Sequence, residues 1–257
     1  MQLEVKGLVI RSVDIKETDR LITIFTEEMG VVSALARGAR SLKSRKMSST
    51  MQFCYSSFIL YKQGDKFWIK EASLIESFFD IRKSIEGLAL ANYITEVLSD
   101  VTITEPDNAL LRLSLNSLYA IASGKYEIEK IKAVFEVRAA SILGFMPDVI
   151  SCRNCDEKLG DFFFDIMDGS IECQKCKREA ELKRELPLSP HESRIICILS
   201  EGAKMALGYA IHSPLDKLFS FKISSDDMHL FSKAAEEYLL NQVGHTYKTL
   251  EFYKKLL

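Results

Sequence analysis

The segment between residues 152 and 176 constrains this chain more than any other part of its sequence. Cys152 and Cys155 form one C-x-x-C pair, and Cys173 and Cys176 form a second pair after 17 intervening residues. Each pair places two sulfur atoms on one tight turn, so two turns can supply four thiolates to one metal ion. Residues 162–171 between them have the pattern of strand, Asp-Gly turn and strand, which predicts a hairpin that brings the two pairs together. The spacing therefore predicts one zinc ion per chain.

The alternatives to zinc binding are that these cysteines form disulfides, remain free thiols or bind an iron–sulfur cluster. Glu4 and Lys6 interrupt the apolar N-terminus, so we expect no signal peptide and a cytoplasmic, reducing location, where disulfides are rare. Four cysteines would close the coordination sphere and leave no position for a catalytic water, so the zinc is expected to be structural. The remaining two cysteines, Cys54 and Cys197, lie in apolar patterns and are predicted to be core residues.

Residues 1–80 have the composition of a small all-β domain. Segments rich in β-branched and aromatic residues alternate with glycine-containing turns, which predicts five short strands. These predicted strands are Val9–Val13, Leu21–Thr26, Val31–Arg37, Phe53–Tyr61 and Phe67–Ser73. Five strands in so few residues favour an OB-fold barrel.

The apolar spacing becomes helical from about Ile81 onward. We expect helices over Glu127–Leu143 and Ser225–Asn241, and helix starts at the Ser-Pro pairs of residues 189–190 and 213–214. The predicted fold is thus α+β and multidomain: an OB-fold barrel over residues 1–80, then a helical bundle over residues 81–257. The four-cysteine zinc module, residues 150–180, is inserted into that bundle.

A basic loop connects the predicted third and fourth strands. Residues 37–46 carry five cations and no acidic residue, although the whole chain has a net charge of −2. We expect these cations to contact DNA phosphates, since OB-folds often bind single strands. The five cations are Arg37, Arg40, Lys43, Arg45 and Lys46. The alternative is a solvated connector without a ligand.

Motifs for enzymatic chemistry are missing from the sequence. There is no P-loop for ATP, no G-x-S-x-G nucleophile motif and no H-E-x-x-H metal motif. Asp14, Glu17 and Asp19 could form a metal-dependent nuclease site, but turn and capping chemistry also accounts for them. No run of about 18 apolar residues occurs, so no transmembrane helix is expected.

Three passages together resemble the RecO family of DNA repair proteins. They combine the strands and turns near the N-terminus, the basic loop, and a helix that leads through a Gly-Phe-Met-Pro turn into the first C-x-x-C pair. The passages are Lys6–Arg11 with Glu17–Thr26, Ala36–Arg40 with Lys43–Arg45, and Phe135–Arg138 with Leu143–Pro147. One departure is the region after the basic loop, where the family often has Leu-x-Pro-Phe and this chain has Ser-Ser-Thr-Met-Gln-Phe at residues 48–53.

The resemblance implies an ATP-independent role in recombinational repair. Members of the family bind single- and double-stranded DNA, anneal complementary strands and act with RecR to load RecA onto strands coated by single-strand-binding protein (SSB). The expected partners are therefore both forms of DNA, RecR and the C-terminal tail of SSB, in the cytoplasm at the nucleoid. Two rival functions are a metal-dependent nuclease and a scaffold that contacts only proteins.

Overall fold

The computed structural model describes residues 2–101, 106–182 and 194–257. These residues form two compact units, one of residues 1–125 with 247–257 and the other of residues 126–246. The barrel ends at Ser77, while the first unit continues into helices. The domain boundary at residue 80 therefore stays a prediction. The predicted helix start at residues 189–190 lies outside the described residues.

Five strands form a closed barrel in the first unit, in the order β1-β2-β3-β5-β4. The strands are β1 (Gln2–Ile15), β2 (Asp19–Thr26), β3 (Gly30–Ala36), β4 (Cys54–Gln63) and β5 (Lys66–Ser77). Neighbouring strands are antiparallel except β3 and β5, whose short parallel pairing closes the barrel. This architecture confirms the predicted five-stranded OB-fold.

Strand β1 is much longer than the predicted strand over Val9–Val13. Glu4 and Lys6 are exposed while Val5 is buried, so the charged residues occupy the outward positions of a pleated strand. Strand β1 can pair with both β2 and β4 because it continues around the barrel. A Cβ atom at Gly7 would lie 2.5 Å from Ile24 Cγ2, so the close approach of β1 and β2 requires glycine there.

The barrel is filled by aliphatic side chains and one phenylalanine ring. This core comprises Val5, Val9, Ile22, Ile24, Val32, Ala34, Ala36, Ala39, Phe58, Leu60 and Ile69, all nearly inaccessible to solvent. A 3₁₀ turn, Phe79–Lys83, follows the barrel and leads into α1 (Ile85–Val101). Two further helices complete the unit, α2 (Asn108–Ser123) and α7 (Lys248–Lys254).

The second unit combines helices with a three-stranded sheet. Its helices are α3 (Ile128–Ile142), α4 (Gln174–Leu182), α5 (Glu201–His212) and α6 (Ser225–Val243). The sheet has the order β7-β6-β8, from β6 (Phe162–Asp165), β7 (Ser170–Cys173) and β8 (Ile196–Leu199). Helices α3 and α6 pack together, and buried Lys132 on α3 bonds to Glu136 and to Glu236 on α6.

One local prediction in the second unit is wrong, and one strand was missed. The segment after Ser213 forms only the 3₁₀ turn Leu215–Lys217, not a helix. Strand β8 was not predicted, because its four residues are all apolar. Such a short apolar run does not distinguish strand from helix by its period. In the described part of the chain, no helix is both long and apolar enough to cross a membrane.

Candidate metal centre and nucleic-acid surface

The four predicted ligands converge in the second unit. The Sγ atoms of Cys152, Cys155, Cys173 and Cys176 all lie within 4.8 Å of one another, and those of Cys155 and Cys173 are 3.6 Å apart. Four thiolates at about 2.3 Å from one ion would be separated by about 3.8 Å. The cluster therefore fits a tetrahedral metal ion with only small adjustments.

Local backbone structure positions the two cysteine pairs. The first pair lies in a turn that is closed by the bond from Cys152 N to Glu157 O, 2.8 Å long. Cys173 is the last residue of β7, and Cys176 lies in the first turn of α4. The pairing of Phe162 with Cys173 confirms the predicted hairpin, which carries the second pair to the first.

Backbone amides favour the thiolate form of Cys152. Burial alone would raise the pKa of this thiol, but amide N–H groups of Cys173 and Asn154 donate to its sulfur at 3.3 Å and 3.5 Å. The net result is a pKa of about 7. The pKa of Cys176 is raised, first by its hydrogen bond with the Cys155 thiol. Crowded sulfur atoms thus resist holding four negative charges, which a dication would offset.

An aspartate that the sequence analysis missed organises the hairpin turn. Asp165 at the end of β6 is almost fully buried, and Arg194 donates to its carboxylate at 2.7 Å. The other oxygen accepts from the backbone of Met167 at 3.1 Å and Asp168 at 3.3 Å. Its position shortly before the Asp168-Gly169 turn is the feature of the sequence that could have identified Asp165 as a turn-stabilising residue. Cys54 and Cys197, each 4% exposed, are buried as predicted.

The basic loop is anchored to the barrel by its second half. Its backbone turns repeatedly, with bonds such as Ser44 N to Ser41 O at 2.8 Å. Thr50 is buried, and Ser12 Oγ donates to its carbonyl oxygen at 3.1 Å. Arg20 on β2 donates to Thr50 Oγ1 at 3.3 Å. The loop therefore presents its charges from a fixed base.

The five loop cations differ in their surroundings. Arg40 forms an ion pair with Asp14 at 3.2 Å and also donates to two backbone carbonyl oxygens of the β1–β2 turn. The Arg37 guanidinium lies 3.9 Å from the centre of the Trp68 ring system. Lys43 and Arg45 have exposed side chains. Lys46 is partly buried, and this burial lowers its pKa.

Two of the three acidic residues of the possible nuclease site, Asp14 and Asp19, have structural roles. Asp14 pairs with Arg20 at 3.0 Å as well as with Arg40. Asp19 accepts a bond from Gly38 N at 2.9 Å, and this bond lowers the pKa of Asp19. Among the described residues, the cysteine cluster alone brings three or more metal-binding side chains together in this way.

Comparison with known proteins identifies both halves of the chain. The family model described as "Recombination protein O N terminal" matches residues 1–78, and "Recombination protein O C terminal" matches residues 82–202. A protein of Acetivibrio thermocellus named DNA repair protein RecO is 35% identical over 99% of this chain and 97% of its own length. Proteins of the same name from Caldicellulosiruptor saccharolyticus and Bacillus pumilus are 28% and 32% identical, over 98% and 76% of this chain and 98% and 76% of their own lengths. The barrel, the cysteine cluster and these matches agree with the resemblance in the sequence: the chain belongs to the RecO family of DNA repair proteins.

Proposed function

We propose that this protein is a recombination mediator that acts by binding DNA, without covalent chemistry. It binds single- and double-stranded DNA, anneals complementary strands and, with RecR, helps load RecA onto strands coated by SSB. Its partners include the C-terminal tail of SSB, and its location is the cytoplasm, at the nucleoid. The observation that carries the proposal is the basic loop, which is fixed to a closed OB-fold barrel.

The geometry of the loop supports binding to phosphates rather than to a particular base. Lys43 and Arg45 are exposed on a stretch that contains no acidic residue, so their charges are available to a polyanion. Annealing requires two repelling backbones to be held together, and a dense group of cations supplies that charge. Phosphate contacts carry no sequence information, which suits a protein that must act on any damaged sequence.

The cysteine cluster is proposed to hold one structural zinc ion. Zn²⁺ binds four thiolates in a tetrahedron, which is the donor set and arrangement found here. When bound, the ion cross-links the two C-x-x-C turns. No protein side chain beyond the four cysteines is needed, and no coordination position remains for substrate.

The test is a DNA-binding titration of a variant with all five loop cations replaced by alanine. Each phosphate contact releases about 0.7 counterions from a single strand and about 0.9 from a duplex. The slope of log K against log salt should therefore flatten by about 2 to 4 units, and strand annealing should slow. A matched control removes the same charge elsewhere, at the exposed residues Lys125, Lys217, Lys222, Lys248 and Lys255.

Three results would contradict the proposal. An unchanged slope and annealing rate in the loop variant would make the loop a solvated connector. Binding to no form of DNA would favour a scaffold that contacts only proteins. Metal-dependent cleavage that is lost in Asp14→Asn and Asp19→Asn would favour the nuclease.

A further inference from the structure

A row of apolar side chains crosses the outer surface of the barrel. Each member is the direct cross-strand partner of the next, so one row spans the sheet through β1, β2, β3, β5 and β4. The row consists of Val13, Leu21, Leu35, Trp68 and Tyr61. Val13 is 37% and Leu21 is 41% exposed, while the other three are half-buried. The barrel interior is filled by different residues, so the row is not required for that core.

The β4–β5 end of this row is a layered aromatic surface. The rings of Tyr61 and Trp68 are nearly parallel, with 18° between their planes and 6.4 Å between their centroids. The Arg37 guanidinium lies over the Trp68 ring and adds a third flat group. Trp68 Nε1 is buried and has no hydrogen-bond partner among the described residues. Buried polar groups of stable proteins are normally bonded, so this indole position is not explained by stability alone.

Cations flank the row on the same face of the barrel. Side chains two residues apart on a strand share a face, which places Lys66 beside Trp68. On the other side of Trp68, a β-bulge between Ile69 and Glu71 leaves both Lys70 and Glu71 exposed. By the same rule, Arg37, just past the end of β3, lies on the same face as Leu35, and Arg11 on β1 lies on the same face as Val13. All four cations are exposed.

The carboxylate of Asp19, two residues before Leu21 on β2, is already bonded to Gly38 N. The surroundings of the row are therefore complementary to a polyanion that also carries flat apolar groups.

We propose that this row is a base-stacking surface for single-stranded DNA, with Tyr61 and the Arg37–Trp68 pair as the stacking residues. This inference rests on the proposed DNA binding and extends it from phosphates to bases. Bases stack on aromatic rings and on arginine planes, and the interaction tolerates any sequence because every base has a flat face. The flanking cations favour this ligand over an apolar protein segment.

The spacing of the rings predicts a preference for single strands. Successive bases of a duplex strand are stacked about 3.4 Å apart, and each covers the face of its neighbour. Two rings with centroids 6.4 Å apart cannot both contact adjacent bases that remain stacked in this way. The surface therefore binds bases that have been separated, and it should discriminate against a duplex of equal charge.

The first experiment uses Trp68, the only tryptophan of the chain, as its own probe. The full-length protein is titrated with an oligothymidylate of about 16 nucleotides, the upper site size of an OB-fold. A duplex of equal length and an abasic oligonucleotide with the same number of phosphates are titrated in parallel. Oligothymidylate should quench the tryptophan fluorescence, whereas the abasic strand should bind at low salt without quenching it. Equal quenching by the abasic strand, or none by oligothymidylate that is bound, overturns the inference.

The second experiment separates stacking from charge. Arg37→Lys keeps the positive charge but loses the planar group, and Tyr61→Ser removes one ring. Each should weaken oligothymidylate binding about 10-fold, the effect of losing one stacked base. Tyr61→Ser should leave abasic binding and the salt slope unchanged, and Arg37→Lys, which keeps its charge, should leave the salt slope unchanged. The control is Tyr119→Ser, the same change at a tyrosine on α2 that is 60% exposed.

The outcomes distinguish this inference from the proposed function. If the five-alanine loop variant loses DNA binding while Arg37→Lys and Tyr61→Ser bind like wild type, the stacking surface is wrong and the mediator function remains. If wild-type protein binds neither the abasic strand nor oligothymidylate, the DNA-binding function itself is wrong. Melting temperatures of all variants exclude loss of folding as the cause.

Discussion

The barrel and the cysteine module both contain short antiparallel strands, but different forces hold them together. In the barrel, every strand has two neighbours, and the strands enclose a continuous aliphatic core. In the module, β6 and β7 have four residues each, and Phe162, Phe164 and Ile171 are the apolar residues that they bury. A hairpin of this size buries too little apolar surface to offset its conformational entropy. Four sulfur atoms that share one ion can supply the missing free energy.

The largest expected effect is therefore loss of the metal. Cys152→Ser or Cys173→Ser should abolish zinc binding and unfold the module, because structural zinc supplies about 10–16 kcal/mol in zinc-finger peptides. Elemental analysis should find one zinc ion per wild-type chain and none in either variant. The barrel should keep its native Trp68 fluorescence, since its core involves no cysteine of the cluster.

Cys54→Ser is the matched control for this prediction. It makes the same chemical change at a buried cysteine of β4 and should leave the zinc content at one ion per chain. Wild-type protein that contains no metal and melts at the same temperature as Cys152→Ser would contradict the proposed contrast between the two regions.

The second prediction concerns the apolar core of the barrel. Phe58 is fully buried in the barrel core, so Phe58→Ala should lower the free energy of unfolding by about 3–5 kcal/mol. Denaturation followed by Trp68 fluorescence should show this loss, because the tryptophan lies on β5 of the same barrel. The zinc content of the folded variant should remain one per chain. Loss of zinc together with loss of barrel stability would mean that the two regions do not fold separately.

The sequence was most informative where the determining contacts are local. The two C-x-x-C turns and the hairpin between them are set by neighbouring residues, so their spacing sufficed to predict the cluster. The five strands were also recognisable, but their ends were not, because the charged residues of β1 resemble a loop until the barrel assigns them an outer face. Strand β8 has no local signal of its own and is defined by pairing with β6.

The surface sites depended on contacts that sequence spacing does not contain. The row from Val13 to Tyr61 follows from the register of four strand pairs, and a shift of one residue in any pair would interrupt it. The five loop cations formed a single group in the sequence, whereas in the structure two are held by specific partners. Arg37 lies over the Trp68 ring, and Arg40 is bonded to the β1–β2 turn.

The smallest expected effects concern stability and again compare two positions, Arg40 and Lys43. The Arg40 side chain donates to the carbonyl oxygens of Lys16 and Glu17 at 3.1 Å and 3.2 Å, and it pairs with Asp14. Lys16 has a positive φ of 53°, a strained conformation that these bonds help to hold. Because the pair is partly exposed, Arg40→Ala should cost only about 1 kcal/mol.

Lys43→Ala should change the free energy of unfolding by less than about 0.5 kcal/mol, as is usual for an exposed surface residue. Both variants remove one positive charge, so they should weaken DNA binding alike if each cation contacts a phosphate. Urea denaturation followed by Trp68 fluorescence measures the stability difference, and a salt titration measures the DNA contacts. Equal stability of the two variants would mean that Arg40 does not hold the turn in solution. An Arg40→Ala variant that is less stable yet binds DNA like wild type would assign Arg40 to the barrel, and it would leave Lys43 and its neighbours as the phosphate contacts.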